Sequence, residues 1–212
     1  WTVGAVTVTA PGGITQNGAG LTSLVGNATL ATTNGAVTFG TAINGEFDLT
    51  VTAGTGAASF TALGSTTALG DVAVTSGTLN FGGAVTLAAD KALTVTNSAA
   101  WTVGAFTITA PAGLTQNGSG LTNLSGNATF ATTNSAVSFD TAVNGSGDMT
   151  VSAGTGSVSF SALGTGTALG DVAVTGGAIN LGSTATLAAD KALTVTNSGV
   201  WTIPAGTITA PA

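Results

Sequence analysis

The sequence predicts an all-β chain wound as a parallel β-helix, a solenoid with about five coils in each hundred-residue repeat. Three observations predict it. First, the chain repeats itself: residues 86–98 return unchanged at 186–198, and Trp1, Trp101 and Trp201 mark a period of one hundred without insertion or deletion. Second, a shorter beat runs inside each copy. Phe39, Phe60 and Phe81 lie 21 residues apart, Val103 follows by 22, and Val51, Val74 and Val95 are spaced 23 and 21. About twenty residues holding several tiny strands and tight turns make one coil of a solenoid. Third, β-branched residues and 33 glycines interrupt every window that could form a helix.

Taken in order, the predicted strands of the first copy are Val6–Thr9, Ala36–Phe39, Leu49–Thr52, 72–75, Leu79–Phe81 and 93–96. Each alternates apolar with polar residues over about four positions, the half-buried strand pattern. Between them stand turn pairs: Asn17-Gly18, Asn34-Gly35, Asn44-Gly45, Gly54-Thr55-Gly56, Ser76-Gly77, Gly82-Gly83 and Asn97-Ser98. Stacked coils place like side chains in files, so the expected core stack is Phe39, Phe60 and Phe81, with Phe139 and Phe160 in the second copy. Phe47 becomes Gly147 and is not an obligatory core position. Asparagines at the corners are expected to form amide ladders. At the spacing of paired strands a copy rises about 24 Å, and the chain about 50 Å.

The organisation follows: copy one at 1–100, copy two at 101–200 and the start of a third at 201–212, about seventy positions in a hundred being identical between the full copies. The chain opens on the repeat, shows no signal peptide or capping unit, and reads as a window from a longer array. Two immunoglobulin-like sandwiches are the main competing fold. They want longer strands, a mid-domain Trp and a turn every eight to twelve residues, whereas here Trp lies at the seam and no linker separates the copies.

Composition excludes several functions. Hydrophobic residues make up 43% of the chain, far too many for disorder. Charged residues are only 5%, against about a quarter in ordinary proteins, so the surface is one of hydroxyls and amides. With two lysines, no arginine and a net charge of −6, nucleic acid has no electrostatic footprint to bind. No apolar run is long enough for a spanning helix, so no lipid membrane insertion is expected. Cysteine is absent, which suits a protein exported unfolded. With the lean charge and the Thr/Gly/Asn richness, it points to a secreted protein at the bacterial cell surface.

The stretches VTFGTAINGEFDLTVTAGTGAASF, from Val37, and ALGDVAVTSGTLNFGGAVTL, from Ala68, with their second copies from Val137 and Ala168, resemble the repeats of filamentous-haemagglutinin-like exoproteins and autotransporter passengers. The likeness covers nearly the whole chain and is one of texture. It implies a right-handed parallel β-helix, export by a two-partner or autotransporter route, and a role as adhesin stalk or extracellular filament. The family's adhesive sites generally lie outside such repeats, so the resemblance brings no binding residue to this chain.

Little in the sequence carries chemistry. Histidine, cysteine, tyrosine and arginine are missing, which removes most general bases and nucleophile activators. No catalytic, cofactor-binding or metal residue is expected, and the chain is read as a non-enzyme. Glu46 and Asp48 could face together as paired acids, yet Ser146 replaces Glu46 in the second copy. A solvated turn is the better account. Adjacent Asp90-Lys91 and Asp190-Lys191 read as weak surface ion pairs, ahead of an isopeptide crosslink from Lys91 to an asparagine. Gly82-Gly83 lacks the following Asp of a calcium-binding repeat, and Asn27 and Asn127 head sequon-like triplets in turn contexts.

Two features suggest partners. Trp1, Trp101 and Trp201 would share one face and knit neighbouring rods, the chain's expected partner being itself; inward or corner placement is the alternative. The pairs Thr7/Thr9, Thr50/Thr52, Thr94/Thr96, Thr107/Thr109 and Thr194/Thr196 suggest an ice- or surface-binding array, interrupted at Val74-Thr75 and Phe39-Gly40. No carbohydrate or other ligand is named by the residues.

Overall fold

Strands of two to six residues, each too short to stand alone, obtain their hydrogen bonds from the coil below and the coil above. The computed structural model describes residues 1–211, and every strand pair in it is parallel. The chain traces a triangle, and the three sides recur in strict order. The first side begins at Thr2–Val3, the second at Val6–Thr9 and the third at Gly13–Gln16; each then stacks on its own kind. Paired residues are 21 to 23 apart in sequence, as in Val6↔Ala28, Ala28↔Leu49 and Leu49↔Val72. The second side runs unbroken through ten strands, ending at Trp201–Thr202, which makes the molecule a parallel β-solenoid of about ten turns. At the interstrand spacing that is about 48 Å of rod.

Alternation decides what goes inside. In Leu49–Thr52 the leucine and valine are buried and both threonines exposed; Val72–Ser76 and Leu79–Phe81 read the same way. The expected files are present in register: Phe39↔Phe60↔Phe81↔Val103 and Val51↔Val74↔Val95. Phe39, Phe60 and Phe81 are fully buried, with ring centroids 6.0 and 5.9 Å apart, and Phe139 and Phe160 stack at 5.8 Å in the second copy. Each buried ring contributes roughly 1.5–3 kcal/mol by leaving water. Phe47 is 39% exposed, as its replacement by Gly147 suggested.

The hundred-residue period and the turn do not coincide. Each copy supplies thirteen strands plus one irregular side bridged through Leu63 or Leu163, fourteen sides in all. Three sides make a turn, so a copy is four and two-thirds turns, not five. The second copy therefore sits one side out of step with the first. Val6–Thr9 lies on the second side but its counterpart Thr107–Thr109 on the first; Gly13–Gln16 lies on the third and Gly113–Gln116 on the second. The aromatic column changes sides with the sequence. It runs on the third side through Phe81, crosses by way of Trp101, and continues on the second through Phe139, with centroids 5.9 and 6.3 Å apart at the crossing.

This offset corrects the expected tryptophan face. Trp1 opens the first side, Trp101 lies on the third and Trp201 on the second. Trp101 is moreover fully buried, while Trp1 and Trp201, 49% and 41% exposed, occupy the first and last turns. The three indoles are the same inward position met at three azimuths, and they offer no common surface for a neighbouring rod.

Candidate functional site

The polar side chains with structural work to do gather at the corners. Where the first side bends into the second, Asn27, Asp48, Asp71 and Lys91 stand on four successive turns. Asp48 accepts from the Asp71 backbone N–H at 2.8 Å, Asp71 accepts from Ala92 N–H at 2.8 Å, and Asn27 accepts from Asp48 N–H at 3.1 Å. The Asn27 amide in turn donates to Asp48 Oδ2 at 3.2 Å. Lys91 Nζ closes the ladder, 3.1 Å from Asp48 Oδ1 and 3.2 Å from Asp71 Oδ2. Gly70 leaves room for this, since a Cβ there would overlap Asp48 Oδ1. Asn127, Asp148, Asp171 and Lys191 repeat the ladder at the corner where the third side bends into the first.

The chemistry is that of a clamp. The Asp71 backbone N–H, helped by Lys91 and Asn27, holds the Asp48 carboxyl below its ordinary value, so it stays an anion. Asp48 and then Asp71 hold the Lys91 ammonium above its ordinary value. A protonated amine is no nucleophile, so the geometry speaks against an isopeptide crosslink. Asp90 is not the ion-pair partner of Lys91; it sits at φ 59° and turns the chain into the strand. Glu46 is exposed and Asp48 is committed to the ladder, so the two form no acid pair. The sequon asparagines are occupied likewise. The expected stacks of amide on amide are replaced by asparagines capping the next turn's backbone, as Asn34 does for Thr55 N–H and Asn134 for Thr155 N–H.

A second cluster lies at the seam between copies and is buried. Gln116 Nε2 donates to Asn97 Oδ1 at 2.8 Å and to the carbonyls of Gly118 and Gly120 at 3.0 Å each, while its Oε1 accepts from the Thr141 hydroxyl at 3.1 Å. Asn97 donates to the Ala99 carbonyl. Both amides are fully buried, and the ladder of the second side runs straight through the seam, Ala92↔Gly113 to Val95↔Gln116. Alternation gave no hint of this cluster. Its signal was the recurrence of Gln-Asn-Gly at the start of each copy and Thr-Asn-Ser at its end.

Outward positions form two columns on the second side, Thr7, Thr29, Thr50, Ala73, Thr94 and Thr9, Ala31, Thr52, Thr75, Thr96, each threonine throughout but for one alanine. Phe39-Gly40 belongs to the third side and does not interrupt them. In the second copy the columns shift to the first side, beginning at Thr107 and Thr109. A shallow groove of about 450 Å³ runs along the corner of Thr55, Ser76, Asn97 and Gly118, lined by hydroxyls, amides and backbone. Among the described residues no group of three His, Cys, Asp or Glu could hold a metal, and no helix is long and apolar enough to cross a membrane. No protein-family model matches the chain, and no curated protein or solved structure matches it either.

Proposed function

We propose that the chain is a non-enzymatic structural repeat of a bacterial extracellular filament or adhesin stalk, wound right-handed. The observation that carries this reading is the uninterrupted ladder across the seam, where Ala92–Asn97 of one copy pairs with Gly113–Gln116 of the next as closely as strands pair within a copy. Length then grows with copy number, and load passes from coil to coil through parallel hydrogen bonds. The side chains that could do chemistry are tied to backbone at the corners, which supports a mechanical role over a catalytic one.

Pulling single molecules by their two ends tests the reading. A rod yields in steps of one coil, each releasing about 70 Å for 21 residues. Two all-or-none events of one copy each would overturn it. Antibody labelling of intact producing cells, against lysed ones, tests the location.

The second reading, a surface- or ice-binding repeat, has the threonine columns in its favour. A flat lattice needs its binding array on one side, however, and the one-third-turn offset sends successive columns to different sides. Thermal hysteresis that grows with the number of copies would restore it.

A further inference from the structure

The polar groove at the corner of the second and third sides holds a reactive pair, Asn117-Gly118, beside the seam. Asparagine before glycine is open to attack by the following backbone nitrogen on the side-chain carbonyl carbon, because glycine puts no Cβ in the way. Four such pairs have a coil both above and below them, at Asn34, Asn44, Asn117 and Asn144, and the fold treats them differently. Asn44 and Asn144 are buried, and their Oδ1 atoms accept from backbone N–H groups of the next coil. The N–H groups of Gly45 and Gly145 are themselves bonded, to the carbonyls of Thr67 and Thr167. Asn34 is exposed, but it sits at φ 63° with its Oδ1 on Thr55 N–H. In that left-handed conformation the next nitrogen stands opposite Cβ across the Cα–C bond, out of reach of the side chain. Asn117 has none of these restraints. It is exposed, its φ is not positive, and the Gly118 N–H makes no hydrogen bond among the described residues. Its Oδ1 accepts from the Thr96 hydroxyl, one coil below, at 2.6 Å.

We propose that Asn117 is a self-modifying site: it closes to a succinimide with Gly118 and reopens as aspartate or isoaspartate, with the Thr96 hydroxyl as donor to the reacting carbonyl. The Gly118 nitrogen gives its proton to hydroxide and bonds to Asn117 Cγ. Negative charge gathers on Oδ1 as that bond forms, and a donor already aimed at the oxygen stabilises it most at that point. The Cγ–Nδ2 bond then breaks, and the amide nitrogen leaves as ammonia after taking a proton from water. Water adds to either carbonyl of the cyclic imide. Opening at Cγ gives aspartate; opening at the main-chain carbonyl gives isoaspartate, which leads the backbone through Cβ and Cγ. Either product adds a carboxylate to a groove with no charged residue in its lining. Isoaspartate also lengthens the main chain beside Gly118, where even a Cβ would overlap the Asn97 backbone. The seam cluster of Gln116 and Asn97 therefore loosens as the protein ages. This chemistry is independent of the filament reading.

Ageing the 212-residue chain at mildly alkaline pH and mapping its peptides by mass spectrometry tests the site. Asn117 should convert to aspartyl and isoaspartyl forms ahead of Asn34, Asn44 and Asn144, and faster as pH rises. Thr96→Val keeps the shape of the strand residue and removes the hydroxyl. It should slow conversion at Asn117 about two- to tenfold, the worth of one neutral hydrogen bond, and Thr96→Ser should restore the rate. A hydroxyl that merely tethered the side chain would give the opposite result, since its removal would free the amide and speed the reaction. Circular dichroism checks the fold of each variant. Conversion at Asn117 no faster than at Asn34, or a Thr96→Val chain that converts as fast as the wild type or faster, would overturn the proposal. Coil-by-coil yielding under load is measured on fresh protein, so failure of this site and failure of the rod are distinguishable.

Discussion

The two copies share about seventy residues in a hundred, yet no strand of the second lies on the same side as its counterpart in the first. Leu49–Thr52 packs its leucine and valine inward from the second side; Met149–Ser152 does the same from the first. What the sequence specifies is therefore inward or outward, coil by coil, and not which side of the triangle a strand occupies. The three sides are interchangeable because each demands only a short alternating strand and a corner that can turn. A mismatch between period and turn then costs nothing in packing, and it spreads each copy's surface features around the rod.

The core should feel this equivalence most strongly. Phe60 and Phe160 are 1% and 3% exposed on different sides, and each stacks on a phenylalanine one turn below. Phe60→Ala and Phe160→Ala should each lose about 3–5 kcal/mol in chemical denaturation, and by similar amounts. A large inequality would break the claim that the sides are interchangeable.

The two glutamines also differ in surroundings: Gln116 is buried and bonded to Asn97, whereas Gln16 is half-buried. Gly118→Val forces a side chain into the Asn97 backbone and should cost about 1–3 kcal/mol or more. Gly18→Val should be nearly silent. Gln116→Leu, which strands the buried Asn97 Oδ1 and the carbonyls of Gly118 and Gly120, should cost about 1–3 kcal/mol. Gln16→Leu should cost distinctly less, since its partners still reach water. Hydrogen exchange localised to the Ala92–Asn97 and Gly113–Gln116 strands would show whether the loss sits at the seam.

How much of this was legible depends on where the periodicity lies. The files through Phe39 and Val51 could be read because the same residue returns every 21 to 23 positions in strands long enough to alternate. Strands such as Ile43–Asn44 or Val85–Thr86, two residues long, carry no alternation to detect, so the sides were undercounted and the turn taken as a fifth of the period. That rounding alone put the three tryptophans on one face. The corner ladder was missed for a related reason. Asp48 invites pairing with Glu46, and Lys91 with Asp90, when the eye follows the chain; their partners lie one or two coils away, 23, 43 and 20 residues distant. A search for polar residues at the coil spacing, applied to Asn27, Asp48, Asp71 and Lys91, would have found the ladder.

That ladder gives the smallest effect and separates its two halves by pH. The Asp48 pKa is depressed below 3.8 chiefly by the Asp71 backbone N–H, and that of Asp171 chiefly by Ala192 N–H. Stability from a depressed carboxyl is present above its unfolded value and lost as pH falls through the folded one, so the acid limb begins near 3.8 and runs below it. The pKa of Lys91 is raised above 10.5 by Asp48 and then Asp71; its contribution is complete below that value and disappears as pH climbs through the folded pKa. Replacing both lysines, Lys91→Met with Lys191→Met, should flatten the alkaline limb of a Tm–pH profile and leave most of the acid limb, because the backbone donors remain. The side chains are about a third exposed, so the change at neutral pH should be slight. Loss of both limbs together would mean that the lysines, and not the backbone N–H groups of the next coil, hold the corner in place.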